Sequence, residues 1–152
     1  MCGMGAKFAV DLQRTASTTA SLGNITNPGS GQRRHRWYYF HLGCQGDAAD
    51  NEYLYTIQRC TTAGTRTSVT PQPLDPADAA AVTTAGENHT AEPTYTSGEI
   101  LMNVAVNQRA TFQWYAPPGG ELVVPATASN GIGVQTPTAT ALTITAQIHF
   151  EE

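Results

Sequence analysis

Charged side chains are scarce in this 152-residue chain: Asp, Glu, Lys and Arg together make up 13% of it, about half the usual fraction for a soluble domain. Only 8 residues are basic and the formal net charge is −4. That argues against nucleic-acid binding, which rests on basic side chains that neutralise phosphates. No apolar run reaches the roughly 18 residues that a membrane-spanning helix needs, so no membrane association is expected. The opening stretch, MCGMGAKFAVDLQRT, has no basic segment followed by an apolar core, so no secretory signal is expected either. Cysteine is sparse and odd in number: Cys2, Cys44 and Cys60. Three thiols in no recognised spacing make a poor disulfide framework and point to synthesis in a reducing cytoplasm, with a Cys44–Cys60 bridge as the alternative.

What the chain has instead is Thr, Ala, Gly, Ser, Asn and Pro, with Val, Ile, Leu, Tyr and Phe spaced regularly among them. The regular spacing excludes a disordered chain. A surface rich in Thr and Ala is cheap to desolvate and suits packing against other subunits. The length fits one domain, 1–152, with residues 1–6 as a flexible N-terminal arm.

The dominant periodicity is two. Phe8, Val10 and Leu12 share one face of a segment over 7–12, and Leu142, Ile144, Ala146, Ile148 and Phe150 share one face of the last segment. Strands are also expected over 18–26, 36–42, 52–60, 100–106, 109–115, 121–124 and 132–135. In RWYYFHL (36–42) the alternation groups Trp37, Tyr39 and His41 against Tyr38, Phe40 and Leu42, and the strand is expected to pair antiparallel with 52–60 through a long loop. Residues 61–73 read as loop, and 86–97 as loop or edge strand. One helical signal stands out near 76–82: Asp75 as N-cap, Pro76 at N1 and Asp78 at N3. Many short strands separated by turns, without strand–helix alternation, predict an all-β, single-domain antiparallel β-sandwich, jelly-roll-like, with one short helix.

The chain carries little chemistry. It has no nucleophile elbow, phosphate-cradling glycine loop or dinucleotide fingerprint. Its histidines, His35, His41, His89 and His149, stand at no metal-ligand spacing, and His41 with Cys44 would need further ligands from elsewhere. Asp47, Asp50 and Asn51 offer oxygen ligands but not in a calcium-loop spacing. Glu87, Glu92 and Glu99 read as solvated loop charges rather than as an opposed acid pair. Asn24-Ile25-Thr26 and Asn88-His89-Thr90 match the glycosylation sequon, as expected by chance in a Thr-rich chain. These readings point to a protein that is not an enzyme, with no cofactor and no metal. One basic cluster, Arg33, Arg34 and Arg36 around His35, precedes the aromatic strand, either meeting an acidic partner or stacking its guanidiniums on aromatic rings.

Several strings resemble small structural proteins of tailed bacteriophages. They are TSVTPQPLDPADAA (67–80), AEPTY (91–95), NQRATFQW (107–114), APPGGELVVP (116–125) and HFEE (149–152), together spanning roughly the C-terminal two-thirds. The resemblance implies a virion structural protein: a decoration, or cement, protein on the capsid exterior, made in the host bacterial cytoplasm. It implies the major capsid protein as partner, self-association as a homotrimer, and a lattice held by many repeated weak contacts. Expected contact residues are the arm Met1, Cys2, Gly3, Met4, Gly5 and Ala6, the basic Arg33, Arg34 and Arg36, and the rigid turn Pro117, Pro118, Gly119 and Gly120. The alternative is a receptor- or glycan-binding module of a head fibre or tail, with Trp37, Tyr39, Trp114 or Tyr115 stacking on sugar rings.

Overall fold

A computed structural model describes residues 5–15, 19–136 and 142–152. Among these residues there are twelve strands and no helix: β1 (Lys7–Arg14), β2 (Ser21–Thr26), β3 (His35–Gln45), β4 (Glu52–Cys60), β5 (Thr65–Val69), β6 (Gln72–Pro73), β7 (Thr84–Ala91), β8 (Tyr95–Asn107), β9 (Phe112–Tyr115), β10 (Leu122–Val124), β11 (Gly131–Gln135) and β12 (Thr143–Glu151). They form two antiparallel sheets. In the first the order is β10-β3-β12-β1-β6, with β9 also on β3; in the second it is β5-β7-β2-β11-β4-β8. A single apolar core draws on both sheets, and the fold is a β-sandwich.

The alternating strands dictate that core. Ile144, Ala146, Ile148 and Phe150 of β12 are fully buried. Their partners on β1 are equally sealed, and Phe8 stacks on Phe150 with ring centroids 5.4 Å apart. Each such aliphatic or aromatic side chain stabilises the fold by about 1.5–3 kcal/mol. β1 runs two residues past the expected Leu12. Its Arg14 points inward at 1% exposure, donating to the carbonyls of Thr19 (3.1 Å) and Ala20 (2.8 Å). A charge sealed in this way is tolerable because carbonyl acceptors replace water.

β3 departs from simple alternation. Phe150 is opposite Trp37 and His149 is opposite Tyr39, so Tyr38 is an extra residue in the ladder. The bulge switches faces. Trp37, Phe40 and Leu42 are all fully buried, while Tyr39 and His41 pair with the outward His149 and Gln147. The grouping of Trp37 with Tyr39 and His41 is therefore corrected.

Three further expectations are corrected. β3 and β4 do not pair: they lie in different sheets, β3 on β12, β9 and β10, and β4 on β11 and β8. The supposed loop over 61–73 contains β5 and β6, and 84–91 is the inner strand β7 between β5 and β2. The helix near 76–82 does not form. Asp75 does cap, accepting from the Ala77 amide at 2.9 Å, and Asp78 closes one turn onto the Asp75 carbonyl at 3.0 Å. The turn then stops. A helix this short is marginal without a packed face, and 75–80 are exposed. The amides of Val82 and Thr83 are instead held by the Glu152 carboxylate at 2.7 and 3.0 Å.

Candidate functional site

The outer face of the first sheet gathers residues from five places in the chain. Cross-strand pairing aligns Tyr115 of β9, Tyr39 of β3 and His149 of β12 in one row. Tyr39 lies 4.7 Å from the Tyr115 ring and 4.8 Å from the His149 ring, while the bulged Tyr38 meets His149 edge-on at 6.1 Å. The Lys7 ammonium sits 5.8 Å over Tyr38. Together with Gln147, these tyrosines and His149 line a shallow depression of about 210 Å³. Tyr115 is 68% exposed, the most exposed of the large apolar side chains among the described residues. Burial pushes the His149 imidazole below its ordinary value, so the ring is neutral at pH 7.

The next row is ionic. Val123 of β10 lies opposite Arg36, and Arg36 opposite Glu151. The Arg36 guanidinium donates to Glu151 Oε1 at 3.0 Å, and the Gly5 amide donates to the same oxygen at 2.9 Å. Burial would raise the Glu151 carboxyl, but Arg36 and the Gly5 amide outweigh it and hold the acid below its usual range. The Glu152 amide also donates to the Ala6 carbonyl at 3.1 Å. Of the expected arm, then, Gly5 and Ala6 are fastened to β12; Met1, Cys2, Gly3 and Met4 lie outside the described residues.

The basic cluster divides in the same way. Arg33 and Arg34 are exposed and make no ion pair among the described residues, whereas Arg36 is engaged by Glu151. Between them His35 turns into the core at 0% exposure, edge-on to Phe150, with neither ring nitrogen hydrogen-bonded. Burial drives its pKa down to about 4, against the pull of the Glu152 charge.

Pro117, Pro118, Gly119 and Gly120 form an exposed loop between β9 and β10, both of which pair with β3. The Gly120 amide closes onto the Pro117 carbonyl at 2.8 Å and Gly119 has φ +80°, the geometry of a type II turn. The loop leaves the sheet at Tyr38, whose carbonyl accepts the Ala116 amide at 2.9 Å. The Pro-Pro turn, Arg36 and the tyrosines thus border one surface. Sequence reading noticed Tyr39 and Tyr115 separately but missed Tyr38, His149 and Gln147. No local signal marks them, because they meet only through long-range strand pairing.

The other candidate groups do not converge. His41 faces outward opposite Gln147, while Cys44 faces the core with its thiol 3.5 Å from the Tyr55 hydroxyl. Cys44 and Cys60 are free thiols, and burial pushes Cys60 up to about 11. Trp37 is in the core, and Trp114 stacks on Phe40 at 5.0 Å. Glu92 accepts from Ser21 and the Ala20 amide, and Glu99 approaches Arg59 at 3.8 Å. Asp50 accepts the Asn107 amide at 2.6 Å. Among the described residues no three His, Cys, Asp or Glu side chains cluster as metal ligands. Asn24 is buried, donating to the Ala63 carbonyl at 3.1 Å, which leaves no room for a glycan there.

Comparison with protein-family models, curated proteins and solved structures finds no match.

Proposed function

We propose that this chain is a non-enzymatic virion structural protein: a decoration protein that binds the outer surface of a phage capsid and stabilises the lattice of the major capsid protein. The observation that carries the reading is the exposed Tyr115, which packs on the buried Tyr39 ring and is bordered by Arg36 and the Pro117–Gly120 turn. Tyrosine and arginine are enriched where proteins meet, and Lys and Glu are depleted there. Arg33 and Arg34 supply free charge at the rim for an acidic partner. The resemblance of the C-terminal two-thirds to phage structural proteins supports the same reading, as does a surface that many copies can present at once.

The fold we assign within the sandwich is a jelly roll. Setting β5, β6 and β7 aside leaves the orders β1-β12-β3-(β9, β10) and β2-β11-β4-β8. With β9 and β10 sharing one position along β3, these are eight strand positions in the interleaved order of two Greek keys, an architecture that recurs in viral capsids and lectins.

The test is co-sedimentation of the purified chain with phage particles from its producing lysate. Binding at many copies per particle that Tyr115→Ala reduces at least about tenfold supports the reading. Absence of binding, or binding indifferent to Tyr115, Arg33 and Arg34, overturns it. A second reading, a glycan-binding module, is favoured by the depression at Tyr38, Tyr39, Tyr115, Gln147 and His149: neutral rings beside an amide suit sugar C–H faces and hydroxyls. Perturbation of the tyrosine NMR signals by glycans, without particle binding, would select it.

A further inference from the structure

A tyrosine that gives up one electron and its phenolic proton becomes a radical, and two such radicals join through their ortho ring carbons. The coupling is efficient where a fold already holds both rings together, because proximity replaces a bimolecular encounter with an intramolecular one. The chain has six tyrosines. Among the described residues one ring contact joins two of them. Tyr39 of β3 and Tyr115 of β9 are direct cross-strand partners, with ring centroids 4.7 Å apart and planes tilted by 42°.

The pair is open to a reagent from one side. Tyr115 is 68% exposed and Tyr39 only 8%, so an oxidant meets the outer ring and the outer ring meets the inner one. The other oxidisable rings are placed differently. Tyr53 and Tyr55 are buried in the core, and Tyr95 lies over Gly133 with its hydroxyl 2.6 Å from Ser21 Oγ. Tyr38 turns to His149 and Lys7. Trp37 is sealed, and Trp114 stacks inward on Phe40. The strand that carries Tyr115 also has the most to gain from a covalent tie. β9 has four residues, and its one partner is β3. Such a short edge opens at low cost.

We propose that Tyr39 and Tyr115 are a site of oxidative modification, coupled by a peroxide-derived one-electron oxidant into an intramolecular dityrosine. Each phenol gives one electron and one proton to the oxidant. A carbon–carbon bond then forms between one ortho position of each ring, and the two ortho hydrogens move to the phenolic oxygens as the rings regain aromaticity. Hydrogen peroxide takes up the two electrons and two protons and leaves as two waters. The product closes a covalent loop between Tyr39 and Tyr115, which restricts the unfolded chain and fastens β9 to β3. The site does not rest on capsid binding.

Treatment of the purified full chain with hydrogen peroxide and a haem peroxidase tests it. The expected product is a single chain that has lost two hydrogens and shows dityrosine fluorescence. Digestion should release one crosslinked peptide pair, carrying Tyr39 and Tyr115, in a yield that dilution of the protein leaves unchanged. Methionine oxidation adds oxygen instead, so the mass separates the two reactions. Tyr115→Phe, and Tyr39→Phe where circular dichroism shows it folded, should each lower the yield of this product at least about tenfold. The coupled chain should unfold at a higher urea concentration than the untreated one. Absence of a link overturns the proposal. So does a link from Tyr115 to another copy or to any tyrosine but Tyr39, or a Tyr39–Tyr115 link that leaves the urea midpoint where it was.

Discussion

Trp37 and Phe40 lie on the same buried face of β3 although they are three residues apart. The extra residue between them, Tyr38, turns outward to meet His149 and Lys7. One bulge therefore closes the core with an indole and adds a tyrosine to the exposed surface. Trp37→Ala should cost about 3–5 kcal/mol of stability, as large-to-small core changes do. Tyr115→Ala, on the outer face, should cost under about 0.5 kcal/mol. Urea unfolding of the two variants checks both; equal losses would contradict the face assignment.

Arg66 lies across the outside of the second sheet, donating to the Asn24 carbonyl at 3.0 Å and the Thr84 hydroxyl at 2.9 Å. Gly86 makes room for it: a Cβ there would collide with the Arg66 side chain and come 2.7 Å from the Thr67 carbonyl. Gly86→Ala should destabilise by about 1–3 kcal/mol through overpacking. In a double-mutant cycle, part of that loss should vanish in the background of Arg66→Ala, because the colliding side chain is gone. Strict additivity would show that Arg66 does not occupy this space.

Acid should weaken the fold through His35. Its folded pKa of about 4 lies below the ordinary 6.5, so between those values the unfolded chain binds the proton and the folded one does not. Stability is then complete above about pH 6.5 and falls as the pH drops towards 4, by about 3 kcal/mol from this group at pH 4. His89 and His149, also lowered by burial, act in the same direction. Chemical denaturation between pH 7 and 4 should show the decline, and His35→Phe should flatten it. An unchanged slope in that variant would exclude His35 as its source.

The Pro117–Gly120 turn should tolerate change at its prolines better than at Gly119. With φ at +80°, Gly119→Val would place a β-branched side chain where L-residues are strained, at a cost of about 1–3 kcal/mol. Thermal unfolding measures this. If the loop contacts a capsid, particle binding should fall further than the stability change accounts for.

Legibility in the sequence followed how local each signal is. β1, β4 and β12 were readable because one face of each meets the core and alternation survives along most of the strand. β5 and β7 were not: TRTSV and TAGENHTA contain few apolar residues, and β7 owes its place to neighbours on both sides, β5 and β2. The capped turn at Asp75 was readable as a cap, but whether a helix followed depended on Glu152, 70 residues beyond Val82. At the candidate surface, Arg33, Arg34 and the Pro-Pro turn were visible as composition. The tyrosine row was not, since Tyr39, Tyr115 and His149 come from three strands.

By itself the sequence determined the all-β class, the low charge, the positions of most strands and the stiff turn at Pro117–Gly120, because periodicity and turn chemistry act over a few residues. Tertiary structure alone decided that β1 pairs with β12, that β3 and β4 part to different sheets, that Arg14 and His35 turn inward, and that β8 is left with an open edge. Each of these depends on which strands become neighbours, and strand pairing joins residues more than a hundred positions apart through backbone groups that every residue shares.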